Sequence, residues 1–187
     1  MDRARATRER LQAAALTLFT ERGFDATTVE QVAAAAGVSH MTFFRHFRTK
    51  EDVVLDDPYD EVIADAVLAQ DPGLPPLERV RRALLAAWSA LPEPATGETR
   101  DRVRLVAGHT GLMARAWQNN RRTADLVTQA LVDDGVTLLE ARVAAGACLG
   151  ALMEALLLWG GGDDDRPLGD LVRDALAPLG LGSAARA

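Results

Sequence analysis

At 187 residues, 48% of them hydrophobic and 26% charged, the chain can build the core of one large domain or two small ones, which excludes an intrinsically disordered protein. Its formal net charge of −6 argues against a nucleic-acid partner only until it is divided: residues 1–50 carry eight Lys and Arg against five Asp and Glu, and residues 51–187 carry thirteen against twenty-two. A basic head on an acidic body directs DNA to the head and repels it elsewhere.

No stretch alternates as a strand does, and Ala, Leu, Arg and Glu dominate, so the fold class is all-α. A first helix is predicted over about Arg5–Arg22, with Leu11, Ala15, Leu18 and Phe19 on one face and Gly23 at its end. A second starts at Thr27 or Thr28, which stand at capping-box spacing from Glu30 and Gln31, and ends at Gly37. A third covers about Ser39–Phe47 with Ser39 as its cap. A fourth begins near Thr49, passes or breaks at Pro58 and ends near Gln70. Beyond the loop Asp71–Pro76, helices follow at about Leu77–Leu91, Glu98–Gly108, Leu112–Asp133, Val136–Trp159 and Leu168–Leu179, about nine in all. The run Gly160–Asp165 reads as an exposed linker, and its three aspartates as a solvated loop rather than a cation site. This predicts an N-terminal three-helix head over residues 1–50 and a larger C-terminal helical bundle over residues 51–187.

The lone Cys148 cannot form an internal disulfide and is expected as a buried, inert thiol in a reducing cytosol. The apolar core of the N-terminal stretch is short, and Glu21 and Arg22 follow it, so it is not a signal peptide. The apolar run Val143–Trp159 is interrupted by Glu154 and falls short of the ~20 residues that span a bilayer. A soluble, cytoplasmic protein with no membrane partner is expected.

Residues Thr27–Glu51 have the properties of a helix-turn-helix, the device that lays one helix in the DNA major groove. Small Ala33 allows the two helices to cross closely, with Val29, Val32 and Ala36 on the same apolar face. Gly37 supplies the turn, Val38 plugs the junction, and Phe43 and Phe47 face inward at i, i+4. That leaves Ser39, His40, Met41, Thr42, Phe44, Arg45 and His46 for DNA or solvent. His40, Met41 and Thr42 are the candidates to touch base edges, and Arg45 a phosphate or a guanine. Thr28 is a candidate phosphate contact or merely a cap, Phe44 a DNA contact or a packing residue, and Lys50 a phosphate clamp. Arg3, Arg5 and Arg8 extend the positive surface as an arm. His40 and His46 stand at i, i+6 on different faces, so no metal site is predicted, and no cofactor is called for.

These residues resemble a known family. The pattern Leu18-Phe19, Arg22-Gly23-Phe24, Thr27-Thr28-Val29, Val32-Ala33, Ala36-Gly37-Val38-Ser39, Thr42-Phe43-Phe44, His46-Phe47 and Lys50-Glu51 is similar to the N-terminal domain of TetR/AcrR-type transcriptional regulators. The resemblance implies a homodimer on a palindromic double-stranded operator, and a C-terminal domain that dimerises and binds a small-molecule effector, whose arrival releases the DNA. Phe44 stands where the family usually has a tyrosine, and His40-Met41 replaces the common Lys-Gly. The variant TFFRHF…KEDVVL resembles regulators of the mycofactocin type, some of which sense acyl-thioesters.

In the acidic body, the nearly all-round apolar Val136–Trp159 with its small residues would either pair with Leu168–Leu179 in a four-helix interface between two copies or serve as a core helix within one copy. Trp88, His109, Met113, Trp117, Met153 and Trp159 are the candidate walls of an effector pocket, for a ligand that is largely apolar. Two rival readings are a helical enzyme and a constitutive DNA-binding protein without an effector. Three His, one Cys and three Ser fall in no catalytic arrangement, so the chain is not expected to be an enzyme.

Overall fold

The computed structural model of the chain describes residues 3–55, 59–89, 97–162 and 166–180. These contain ten α-helices, one 3-10 turn and no strand. The helices are α1 Arg3–Arg22, α2 Val29–Ala35, α3 His40–His46, α4 Asp52–Leu55, α5 Tyr59–Leu68, α6 Pro76–Ser89, α7 Glu98–Gly108, α8 Thr110–Asp133, α9 Leu138–Gly161 and α10 Leu168–Leu176, with the 3-10 turn at Ala177–Leu179. The expected fourth helix is represented by α4 and α5, and the predicted pass or break at Pro58 lies outside the described residues.

The chain forms two compact units, one of residues 1–56 and 95–115, the other of residues 57–94 and 116–187. In the first, α1 packs against α2, α4 and α7, and α2 against α3. Its core is Leu11, Ala15 and Phe19 of α1 with Val32, Ala33, Phe43, Phe47, Val53 and Leu112. In the second, α9 packs on α6 and α10, and α5 on α6. Helix α8 starts in the first unit and continues in the second, the division falling after Arg115.

Local chemistry sets the helix ends. The Thr137 hydroxyl accepts the Glu140 N–H at 3.4 Å and donates to its carboxylate at 2.6 Å, so α9 starts behind Thr137 rather than at Val136. The helix then runs through Gly160 and Gly161 and stops at Gly162, φ 88°, so the expected linker loses its first two residues to α9. The aspartates Asp163–Asp165 lie outside the described residues. Helix α10 ends three residues before the expected Leu179, because Pro178 has no N–H with which to continue it.

Helix α9 is 24 residues long and is long and apolar enough to cross a membrane, which corrects the expectation that the run is too short. One side of it, Ala141, Ala144, Ala145, Cys148, Leu149, Ala155 and Trp159, is nevertheless buried within the second unit. Beneath it lie ionised groups. Glu78, only 4% exposed, accepts two bonds from Arg81 at 2.7 and 2.8 Å and one from Arg82 at 2.6 Å. The Arg81 bonds, against the desolvation of burial, hold its carboxyl down at about 2. Arg79, buried, pairs through Nη2 with Asp134 just beyond α8, and its Nε has no partner among the described residues.

Candidate nucleic-acid interface

Helix α2 begins with a complete capping box. The Thr28 hydroxyl accepts the Gln31 N–H at 3.3 Å, and the Gln31 side chain accepts the Thr28 N–H at 2.8 Å. Exposed Glu30 sits in the same first turn and is held below its ordinary pKa by its own backbone N–H and then by the Thr28 hydroxyl. The other predicted cap, Thr27, is buried and donates to the Gly23 carbonyl at 2.9 Å. Helix α2 ends in a Schellman turn: Val38 N–H reaches Ala33 O at 2.9 Å and Gly37 N–H reaches Ala34 O at 3.0 Å. Gly37 lies at φ 67°, and a Cβ added there would meet nothing within 4 Å, so backbone conformation rather than space selects glycine.

The turn delivers the chain into α3. The Ser39 hydroxyl accepts the Thr42 N–H at 3.1 Å and pairs with the Thr42 hydroxyl at 2.9 Å. Phe43 and Phe47 are 0% and 2% exposed, on the side of α3 that packs against α2. The opposite face is open: Met41 is 63% and Phe44 45% exposed, with His40 and Arg45 exposed beside them. The His40 ring meets Phe44 edge-on at 5.2 Å, and Phe43 meets it at 5.4 Å. His46 is half-buried, its ring tilted against Phe47 and its carbonyl bonded by Arg8 at 3.0 Å.

Three basic residues are placed differently from expectation. Lys50 donates to Phe24 O at 2.7 Å and Thr27 O at 3.0 Å, and its ammonium lies 4.1 Å from the Phe24 ring centroid. It ties the α1–α2 connection to the end of α3, where a phosphate clamp was expected. Arg8 stacks on Phe47 at 4.4 Å, and Arg5 pairs with Glu9 at 2.9 Å. Both lie in α1 together with Arg3, so no separate N-terminal arm is formed by them. The links of Lys50 and Arg8 reach 26 and 38 residues along the chain, and no sequence periodicity signals contacts of that range.

The six candidate pocket residues divide between the units. His109 and Met113 belong to the first, and Trp88, Trp117, Met153 and Trp159 to the second. Trp159 is buried, Trp88, Met113 and Met153 are half-buried, and Trp117 is exposed. His109 is not a lone titratable group among apolar residues. Its Nε2 lies 3.2 Å from the Asp25 carboxylate, its Nδ1 accepts the Leu112 N–H at 3.2 Å, and its ring sits edge-on to Phe24 at 4.9 Å. A cleft of about 180 Å³ opens within the first unit against Glu9, Leu16, Val53, Val54, Thr99 and Arg102, and none of the six lines it.

The comparisons with known proteins agree with this geometry. The description "Bacterial regulatory proteins, tetR family" matches residues 11–56, the stretch that holds the capped pair α2 and α3. The description "MftR C-terminal domain" matches residues 74–184, more than half of the chain. The chain belongs to the tetR family of bacterial regulatory proteins. The family and the relatives that follow are described as transcriptional regulators rather than enzymes. The HTH-type transcriptional regulator TcmR of Streptomyces glaucescens is 42% identical over 84 residues, 44% of this chain and 37% of that protein. The HTH-type transcriptional repressor KstR2 of Mycolicibacterium smegmatis is 32% identical over 87 residues, 45% of this chain and 42% of that one. The matches thus span less than half of these relatives. Among solved structures, Thermus thermophilus FadR, a tetR-family repressor crystallised with lauroyl-CoA, shares the fold with a TM-score of 0.54 over 96% of both chains, at 24% identity.

Proposed function

We propose that the protein is a cytoplasmic, homodimeric repressor that binds a palindromic operator through α3 of each copy and is released by a small, largely apolar effector. The observation that carries this reading is the built reading helix. Two caps and a Schellman turn aim α3, Phe43 and Phe47 hold it from behind, and His40, Met41, Phe44 and Arg45 stand free in front. Repression is supported by the likeness to KstR2, itself a transcriptional repressor.

The dimer is supported by the outer face of α9. Leu139, Val143 and Leu158 are 73%, 57% and 47% exposed, and exposed Gly146 and half-buried Gly150 lie on the same side. A Cβ added at either glycine would meet nothing within 4 Å, so this chain's own packing does not require them to be small. A second α9 approaching closely would. Helix α10 buries Leu168, Leu171, Val172 and Leu176 within its own unit and turns Arg173 and Asp174 outward, so its part in the interface is a polar flank. We assign the effector to the second unit, near Trp88, Met153 and Trp159, and leave out His109, whose two ring nitrogens are engaged.

Selection of the full chain's preferred duplex from a random pool, with light scattering at micromolar protein, tests the reading. A palindrome and a dimer mass are expected, and Val143→Arg is expected to give a monomer that loses the palindrome. A monomeric wild-type protein sinks the dimer. An apolar ligand that raises the melting temperature should lower operator affinity in the same titration.

A further inference from the structure

The cleft of about 180 Å³ lies wholly within the first unit, and no residue of α3 lines it. Its apolar wall is Leu16 of α1 with Val53 and Val54 of α4, the two valines only 2% and 5% exposed. Its polar side chains are Gln12 of α1 and Thr99 and Arg102 of α7, all half-buried, together with exposed Glu9. The two charges are engaged unequally. Glu9 accepts a bond from Arg5 at 2.9 Å. The side chains of Gln12, Thr99 and Arg102 make no hydrogen bond or ion pair among the described residues. Three donors, one of them a cation, are therefore open to a ligand beside an apolar wall.

A guanidinium with neutral donors next to it suits a carboxylate, which can take two parallel N–H bonds from one arginine. Volume sets the rest of the ligand. An apolar cavity of about 150 Å³ holds one benzene ring, so the space here fits one ring, or a short branched chain, together with a carboxylate. A bare inorganic anion would leave Val53 and Val54 without an apolar partner, and a cation would be repelled by Arg102. We propose that the cleft is a second ligand site, separate from the effector assigned to the second unit, and that it binds a small monocarboxylate with an apolar body. Such a ligand touches α1, α4 and α7 at once, and so stabilises the unit that carries α3.

Benzoate is the probe, and benzamide, of the same shape and without the charge, is the control. The full chain, isotope-labelled at its leucine and valine methyls, is titrated with each and followed by methyl NMR. Benzoate should shift the methyl resonances of Leu16, Val53 and Val54 to saturation. It should bind about ten-fold more tightly than benzamide, the lower end of what a hydrogen bond to a charged group contributes, because Arg102 is only half-buried. Arg102→Met keeps the stem and removes the charge, and it should weaken benzoate about ten-fold while leaving benzamide unchanged. Ala13→Phe, at an exposed position of α1 on the cleft, fills the space with Arg102 intact and should abolish both. Neither variant removes a packed side chain, and an unchanged helical spectrum shows that both fold. Three results overturn the proposal: shifts in methyls of the second unit but not in these three, equal benzoate affinity in wild type and Arg102→Met, or no shift of the three up to about 10 mM benzoate. None of them bears on operator binding, so the reading of α3 stands or falls separately.

Discussion

Replacing Lys50 with Met separates two roles for this residue by two independent readouts. The side chain keeps its length and loses its charge. Two carbonyls, Phe24 O at 2.7 Å and Thr27 O at 3.0 Å, lose a cationic donor, and the Phe24 face loses a cation at 4.1 Å. Hydrogen bonds to charged groups contribute about 1.5–3 kcal/mol each when dry, and a half-exposed cation–π contact about 0.5–1 kcal/mol. Lys50 is half-buried, so water replaces part of the donor, and the expected net loss is about 2 kcal/mol. For a chain of this length that lowers the melting temperature by roughly 4–8 °C. A phosphate contact behaves differently: losing it leaves the melt unchanged and reduces the slope of log affinity against log salt by about 0.9 per contact. Circular dichroism melts and operator titrations at three salt concentrations measure both. The tie predicts a lower melting temperature with an unchanged salt slope, and an unchanged melt with a reduced slope refutes it.

Other consequences follow from single residues. Glu78 is ionised down to about 2 against its ordinary 4.5, so it contributes stability above about pH 4.5 that is lost as pH falls towards 2. The stability gap between wild type and Glu78→Gln in urea should shrink between pH 6 and pH 2.5, and a constant gap contradicts this. Gly37→Ala should cost about 1–2 kcal/mol of conformational strain and no steric clash, read as a lower urea midpoint, with Gly37→Asn costing less. Burial pushes the Cys148 thiol up to about 12, so iodoacetamide at pH 8 should label it only after unfolding. Rapid labelling of the native protein would show that α9 opens.

The fold class and the reading helix were legible in the amino-acid sequence because their signals are local. Thr28 and Gln31, Ser39 and Thr42, and Gly37 with its preceding turn all act within five residues, and the inward Phe43 and Phe47 follow from helical spacing. The helix α7 was placed at its observed bounds, Glu98–Gly108. The differences at other ends have local causes too: Thr137 caps α9 one residue beyond the expected start, and Gly160 and Gly161 continue the apolar helix where the glycine run suggests a linker.

What the sequence alone determined about this protein, then, is how α3 is built and which of its side chains are left over: periodicity and caps depend only on neighbours along the chain. What the tertiary structure decided is how the polar groups are spent. Lys50 and Arg8 are drawn to backbone carbonyls 26 and 38 residues away, His109 to Asp25 across 84 residues, and Arg79 to Asp134 across 55. A half-buried charge or ring nitrogen must find a partner once water is withdrawn, and which partner is near depends on how the helices pack. That requirement drew the expected phosphate clamp to two backbone carbonyls and gave the expected pocket histidine an acidic partner. It also left Met41 and Phe44, which need no partner, facing outward on α3.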